Sequence, residues 1–270
     1  MIGSQSIEQR VAVLINRLTD RLNDYHGMGT MSAAIYDTAW LAMITKPGET
    51  RNPWLFPRSL QYILDTQQDD GGWPSYASKI DGILNTAASL LCLRKHYSQE
   101  SEIVTGRQEL QQRIDRAIVA LQRLLDEWDV ASTVHVGFEV LVPALLKYLE
   151  AEGISFAFPQ SESLQNVNQQ KLRKFKPEYL YGKAPLTALH SLEAFVGLID
   201  FDKVAHHKVR GSFMASPSST AAYLMHASQW DEDCEIYLRE VVEHSAGLQS
   251  GAAPSAWPST TFEVTWVSFC

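Results

Sequence analysis

Cysteine is scarce. The chain has three in 270 residues (Cys92, Cys234 and Cys270), far apart and without a C-x-x-C pair. That excludes a disulfide framework and a structural zinc site, and it points to a reducing compartment. No apolar run approaches the roughly 20 residues a membrane span needs. The opening MIGSQSIEQR lacks the apolar segment of a secretory signal, so a cytoplasmic protein is expected. Basic charge is also in deficit: 23 Lys and Arg stand against 31 Asp and Glu, a net charge of −8. The single basic cluster is KLRKFK (171–176), and nucleic acid is not an expected partner. Convincing period-2 alternation is absent, which argues against a sheet protein.

What the sequence has is helical periodicity. Val11, Leu14, Ile15, Leu18, Leu22 and Tyr25 form one apolar stripe, and Leu110, Ile114, Ala117, Ile118, Leu121, Leu124 and Leu125 form another. Further helices are predicted over 33–44, 59–67, 83–97, 138–152, 186–198, 218–226 and 233–244, and the class is all-α. Pro143 falls near enough to its helix start to be tolerated. Glycine-containing turns interrupt the periods at 47–48, 70–74, 137, 153 and 211. The polar stretch QSESLQNVNQQ (160–170) is predicted to be a mobile loop, and GLQSGAAPSAWPS (247–259) a second loop. A final helix over 260–269, capped by Ser259 or Thr260, ends apolar, as though it packs on something further along a longer chain.

The stretch QQDDGGW (67–73) poses the first chemical question, since Asp69 and Asp70 lie side by side. Helix, Q-x-x-x-G-x-W, helix is the corner that punctuates α-barrel terpene cyclases. Gln67 ties helix ends there, the glycines supply φ > 0 and Trp73 closes the corner. Further blocks follow in order: IYDTAW (35–40), FPRSLQYILDTQQDDGGW (56–73), LNTAASLLCL (84–93), VGFEVLVPALL (136–146), PLTALHSLEAF (185–195), SPSSTAAYLM (216–225) and AWPSTTFEVTW (256–266). Together they resemble the class II diterpene cyclases of the copalyl diphosphate synthase type, nearest to the fungal bifunctional enzymes.

That resemblance implies an α/α barrel-like γ domain with the first helices of a β domain. Residues 1–30 would be an N-terminal helix packing on β, 31–250 the γ domain and 251–270 the start of β. In the family, an Asp of a D-x-D-D motif protonates geranylgeranyl diphosphate, and D-D-x-x-D with magnesium serves the separate α domain. Neither motif occurs here: Asp69-Asp70, Asp200-Phe201-Asp202 and Asp231-Glu232-Asp233 all fail the spacing. The acid is expected beyond Cys270, so the chain alone is expected to be inactive, with Asp69 and Asp70 solvated on the rim of the corner.

The resemblance assigns His190 to the position whose imidazole helps hold the water that deprotonates the final cation. Plant enzymes pair it with an Asn, where this sequence has Ser255. Read as a residue alone, His190 is an ordinary half-buried helix histidine. Lys171, with Lys174 as runner-up, resembles a lysine contacting diphosphate; read alone, both belong to a solvated basic patch. DEWD (126–129) stands in place of an acidic motif that binds Mg2+, through Asp126, Glu127 and Asp129 as hard oxygen ligands. Tyr36 and Asp37 read as structural. The implied partners are geranylgeranyl diphosphate and the β and α domains of a full-length chain, and exposed apolar surface would favour a homo-oligomer. Two other readings compete: a non-catalytic α-helical binding module on the same fold, and a helical-barrel hydrolase or prenyltransferase subunit. The last has no zinc ligand set behind it.

Overall fold

The computed structural model describes residues 6–22, 29–48, 54–76, 78–99, 106–245, 247 and 250–269. Tyr25 of the first predicted stripe, parts of both chain ends and Cys270 lie outside the described residues. The elements, in order, are α1 (Ile7–Leu22), β1 (Ala33–Ala34), α2 (Ile35–Ala42), α3 (Pro57–Thr66), α4 (Lys79–Ser98) and α5 (Arg107–Asp126). Next come α6 (Phe138–Ala151), α7 (Ser161–Leu172), α8 (Pro177–Leu180), 3₁₀ segments Thr187–Phe195 and Phe201–His207, α9 (Pro217–His226), α10 (Glu232–His244), β2 (Ala253–Pro254) and α11 (Thr260–Phe269).

The predicted all-α class holds, and the helices close into a ring. On the inside, α2 packs on α4, α4 on α6, α6 on the segment Thr187–Phe195, that segment on α9, and α9 back on α2. Outside them α3 covers α2, α5 covers α4, α7 covers α6 and α10 covers α9. The sequence supports this layering: α4 is buried all round through its middle, with Leu90, Leu91, Cys92 and Leu93 in consecutive buried positions, whereas α5 buries one stripe, Leu110, Ile114, Ala117, Leu121 and Leu125. Residues from the starts of α2, α4, α6 and α9 line one cleft, and residues from their ends line another. The four inner helices therefore run in the same direction.

His96, on α4, stacks on Trp54 with ring centroids 3.6 Å apart and bonds the Ala42 carbonyl at 2.8 Å. Burial pushes its imidazole down from the ordinary histidine value to about 4. The unfolded chain thus binds the proton first as pH falls, so the stability is complete above pH 6.5 and drains as pH drops through 4. Up to about 3 kcal/mol is at stake. Chemical unfolding followed across this window should show the loss, and His96→Gln should flatten that part of the profile.

Two predictions are corrected. The expected loop over 160–170 is largely the helix α7. Its polar residues face out while Leu164 is buried and Val167 and Leu172 pack on the core. Pro143 lies inside α6 and has no N–H for the Glu139 carbonyl. Asn168 of α7 supplies the missing donor, its Nδ2 at 2.7 Å from that oxygen. Asn168→Ala should therefore cost about 1–3 kcal/mol in denaturant unfolding, the penalty of a partly buried carbonyl left without a partner. The second correction is at 186–198, where the chain forms 3₁₀ turns over Thr187–Phe195, kinked at Ser191 (φ −140°, ψ 48°).

A short antiparallel pairing, Ala33 with Pro254 and Ala34 with Ala253, joins the two ends of the barrel sequence. The Ala253 N–H donates to Thr38 Oγ1 at 3.0 Å, and Ser59 Oγ donates to the Gly251 carbonyl at 2.6 Å. Trp257 is buried; its backbone N–H donates to the Ala215 carbonyl at 2.8 Å and its own carbonyl accepts from the Tyr237 hydroxyl at 2.7 Å. These contacts fix Ser255 at the barrel end where α2 begins. Outside the barrel α1 packs against α11. Glu263 accepts from the Thr30 N–H at 2.7 Å and the Thr30 hydroxyl at 3.0 Å.

Candidate active-site cleft

The QQDDGGW corner is structural in every contact. Gln67 Nε2 donates to the carbonyls of Gly71 (2.9 Å) and Arg113 (3.0 Å), which ties α3 to α5. Trp73 is buried, and its indole N–H donates to the Ile63 carbonyl at 2.9 Å. Asp69 and Asp70 are exposed as expected, but Asp70 is also paired: it accepts from the Gly72 N–H at 3.0 Å and from Arg123 at 2.5 Å. The Gly72 N–H, followed by Arg123, holds its carboxyl below the usual range.

A half-open cleft of about 460 Å³ lies at the barrel end where the inner helices start. His190, from the 3₁₀ segment, and Ser255, just past β2, both line it. They are 65 positions apart in sequence and line one cleft because the Ala33–Pro254 pairing returns the chain to the start of α2. Both are exposed in this chain. Burial of the imidazole against the cleft wall still lowers the His190 pKa, which favours the neutral ring a base requires.

Beside them in the cleft lie Tyr36 and Asp37, which the sequence reads as structural, and Glu193, which it does not single out. Asp37 is buried and accepts from the Ser218 N–H at 3.2 Å, at the first turn of α9. Its structural role is thus real, and burial raises its carboxyl to about 6. The Tyr36 hydroxyl donates to Glu193 Oε1 at 3.2 Å. Glu193 is 2% exposed, and burial pushes its carboxyl up to about 8. The signal available in the sequence was ALHSLE, which puts a carboxyl three residues after His190.

The acidic run divides. Glu127 and Asp129 line a smaller hollow of about 290 Å³ with Ser78 and Lys79, and His135 borders both this hollow and the main cleft. Asp126 lines a further hollow that Glu127 also borders, and it accepts from Gln122 at 2.9 Å. Among the described residues no three His, Cys, Asp or Glu side chains are grouped to hold a metal by themselves. Glu127 and Asp129 bring two carboxylates to one hollow, with Lys79 Nζ 4.0 Å from Glu127 Oε2 and the Ala131 N–H donating to Asp129 Oδ1 at 3.1 Å. Lys171 bridges to Glu139 Oε1 at 2.6 Å, in the first turn of α6 and therefore at the cleft end of that helix. Lys174 is exposed and lines neither hollow nor cleft.

A closed ring of inner helices with an outer layer, a Gln-to-Trp corner and a half-open cleft at one end define a terpene-cyclase barrel. No protein-family model matches the chain. The copalyl diphosphate synthase of Talaromyces verruculosus is 58% identical over 266 residues, 98% of this chain and 28% of that protein. Abietadiene synthase from Abies grandis has a TM-score of 0.72 and 28% identity, over 96% of this chain and 32% of that one. The ent-copalyl diphosphate synthase of Arabidopsis thaliana, solved with (S)-15-aza-14,15-dihydrogeranylgeranyl thiolodiphosphate, has a TM-score of 0.69 and 29% identity, over 96% of this chain and 35% of that one. Along nearly all of its length the chain is similar to class II diterpene cyclases of the copalyl diphosphate synthase type, and it spans about a quarter of the length of the fungal relatives it matches.

Proposed function

We propose that this chain is the base-bearing wall of a class II diterpene cyclase that, at full length, converts geranylgeranyl diphosphate to copalyl diphosphate. The observation that carries the reading is the meeting of His190 and Ser255 in one cleft. The division proposed is a packing helix in 1–30, the γ domain in 31–250 and the start of the β domain in 251–270. Exposed apolar residues on α1 and α11 (Leu14, Phe262 and Trp266 among them) support that division, because the remainder of a longer protein would cover them. The same surface supports self-association of the isolated chain. The proposed setting is the cytoplasm.

Alkene protonation needs a carboxylic acid kept neutral in an apolar pocket. In this proposal the acid comes from outside these 270 residues, since no D-x-D-D occurs in them. The cascade ends on a carbocation beside the cleft. A water held by the neutral His190 imidazole and the Ser255 hydroxyl takes a proton from the adjacent carbon, and the C–H electron pair becomes the alkene. Lys171, with Lys174 nearby in sequence, is assigned to the diphosphate. Glu127 and Asp129 are the residues that would hold magnesium, with Asp126 outside the hollow they share; bound there, the ion would neutralise diphosphate charge.

The 270-residue chain incubated with geranylgeranyl diphosphate and magnesium should return the substrate unchanged, while the full-length protein should give a bicyclic diphosphate. Turnover by the isolated chain would refute the division of labour. Absence of cyclisation by the full-length protein would favour a non-catalytic module instead.

A further inference from the structure

The stretch SPSS (216–219) opens α9, and the mechanism above gives it no task. It packs on the 3₁₀ segment that carries His190. All three of its serines are buried. Ser216 caps α9, its Oγ accepting from the Ser219 N–H at 3.2 Å, and the Ser218 N–H is held by Asp37. Ser219 is thereby fixed in the first turn, and its hydroxyl leaves its own helix for the neighbouring segment. It donates to the Leu189 carbonyl at 2.7 Å and accepts from the Leu192 N–H at 3.2 Å. Those are the two groups that a regular 3₁₀ turn would join to each other. Ser191, between them, is non-helical (φ −140°, ψ 48°). One hydroxyl, with one donor and two acceptor sites, answers both groups across the kink. His190 lies inside the four residues it spans. The carbonyl that follows, Glu193, accepts from the Tyr148 hydroxyl of α6 at 2.7 Å.

We propose that Ser219 is a positioning residue of the terminating base: its hydroxyl is the wedge that holds the Ser191 kink and so sets His190 on the cleft wall. The inference rests on the cyclase reading above and deepens it. Leu189 and Leu192 are both buried, so their backbone groups need partners inside the protein. With alanine at 219 the wedge is gone, and the nearest remedy is for the two groups to bond each other. That remedy closes the kink and rotates His190 within its turn. Stability is then largely recovered while the imidazole is displaced, and an ångström of displacement is enough to spoil a proton transfer. Ser219 touches neither substrate nor water in this account and acts only through the backbone that flanks His190.

The test has two arms. In the first, the 270-residue chain carries isotope-labelled histidine rings, and each imidazole is titrated by NMR in wild type, Ser219→Ala and Ser219→Thr. Wild-type His190 should titrate below the ordinary histidine value, as its burial against the cleft wall requires. Alanine should move it back toward that value, and threonine, which keeps the hydroxyl, should restore it. His96, at the other end of the barrel, should stay near 4 in all three. An unmoved His190 in the alanine variant overturns the proposal. So does a shift of His96 alongside it, which would make Ser219 a general support of the barrel. In the second arm, product ratios are compared in the full-length cyclase. Alanine should lower the ratio of alkene to hydroxylated or rearranged diphosphate about tenfold, with substrate consumption falling much less. Threonine should recover most of the ratio, and equal loss in both variants overturns the positioning role. A wild type that forms no cyclised diphosphate refutes the cyclase reading instead, and the titration arm then decides the wedge alone.

Discussion

Gly71→Ala is expected to lower stability by about 4 kcal/mol and to leave the α3–α5 corner unformed. Gly71 has φ +90°, a conformation that costs an L-residue about 1–2 kcal/mol. A Cβ there would also collide with the backbone carbonyl of Arg116 on α5, a rigid neighbour that cannot rotate away. Overpacking against such a neighbour adds about 1–3 kcal/mol. The same carbonyl-lined approach carries the Gln67 bonds to Gly71 and Arg113, so the loss should be cooperative with theirs. Denaturant unfolding of the variant against wild type checks the magnitude. Asp70→Asn at the same corner should cost under about 1 kcal/mol, because its partner Arg123 is exposed. That contrast separates backbone geometry from the paired carboxylates.

The second large effect is chemical. His190→Ala in the full-length cyclase should lower the ratio of alkene to hydroxylated or rearranged diphosphate about 100-fold, the scale of a removed general base. Consumption of substrate should fall much less, since initiation uses a different group. His190 is exposed in this chain, so the variant should fold normally. An unchanged product ratio in the variant would remove His190 from the base.

Most of the barrel was legible because its helices bury continuous stripes at a period of 3.6, and α4 and α5 illustrate the two grades of burial. What the sequence concealed was tertiary in origin. QSESLQNVNQQ reads as a loop by composition, yet it is mostly helical, with Asn168 answering a carbonyl that Pro143 leaves open on α6. The two-residue strands carry no periodic signal at all, although their pairing is what brings Ser255 to the cleft. His190 and Ser255 came from a resemblance between blocks rather than from residue chemistry. Glu193 escaped notice because a glutamate looks like a surface charge until its burial is known, and Tyr36 reads as structural packing because its hydroxyl's partner is 157 residues away. Asp126 and Asp129 line different hollows, with Glu127 bordering both, because α5 ends at Asp126 and the chain turns there.

The most direct test of the account is a structure of the full-length protein with an amine analogue of the cyclised cation. The account predicts the positive nitrogen in the cleft, with an ordered water bridging it to His190 and Ser255 and Tyr36 on the same wall. An analogue bound elsewhere, with this cleft filled by protein side chains, would contradict it.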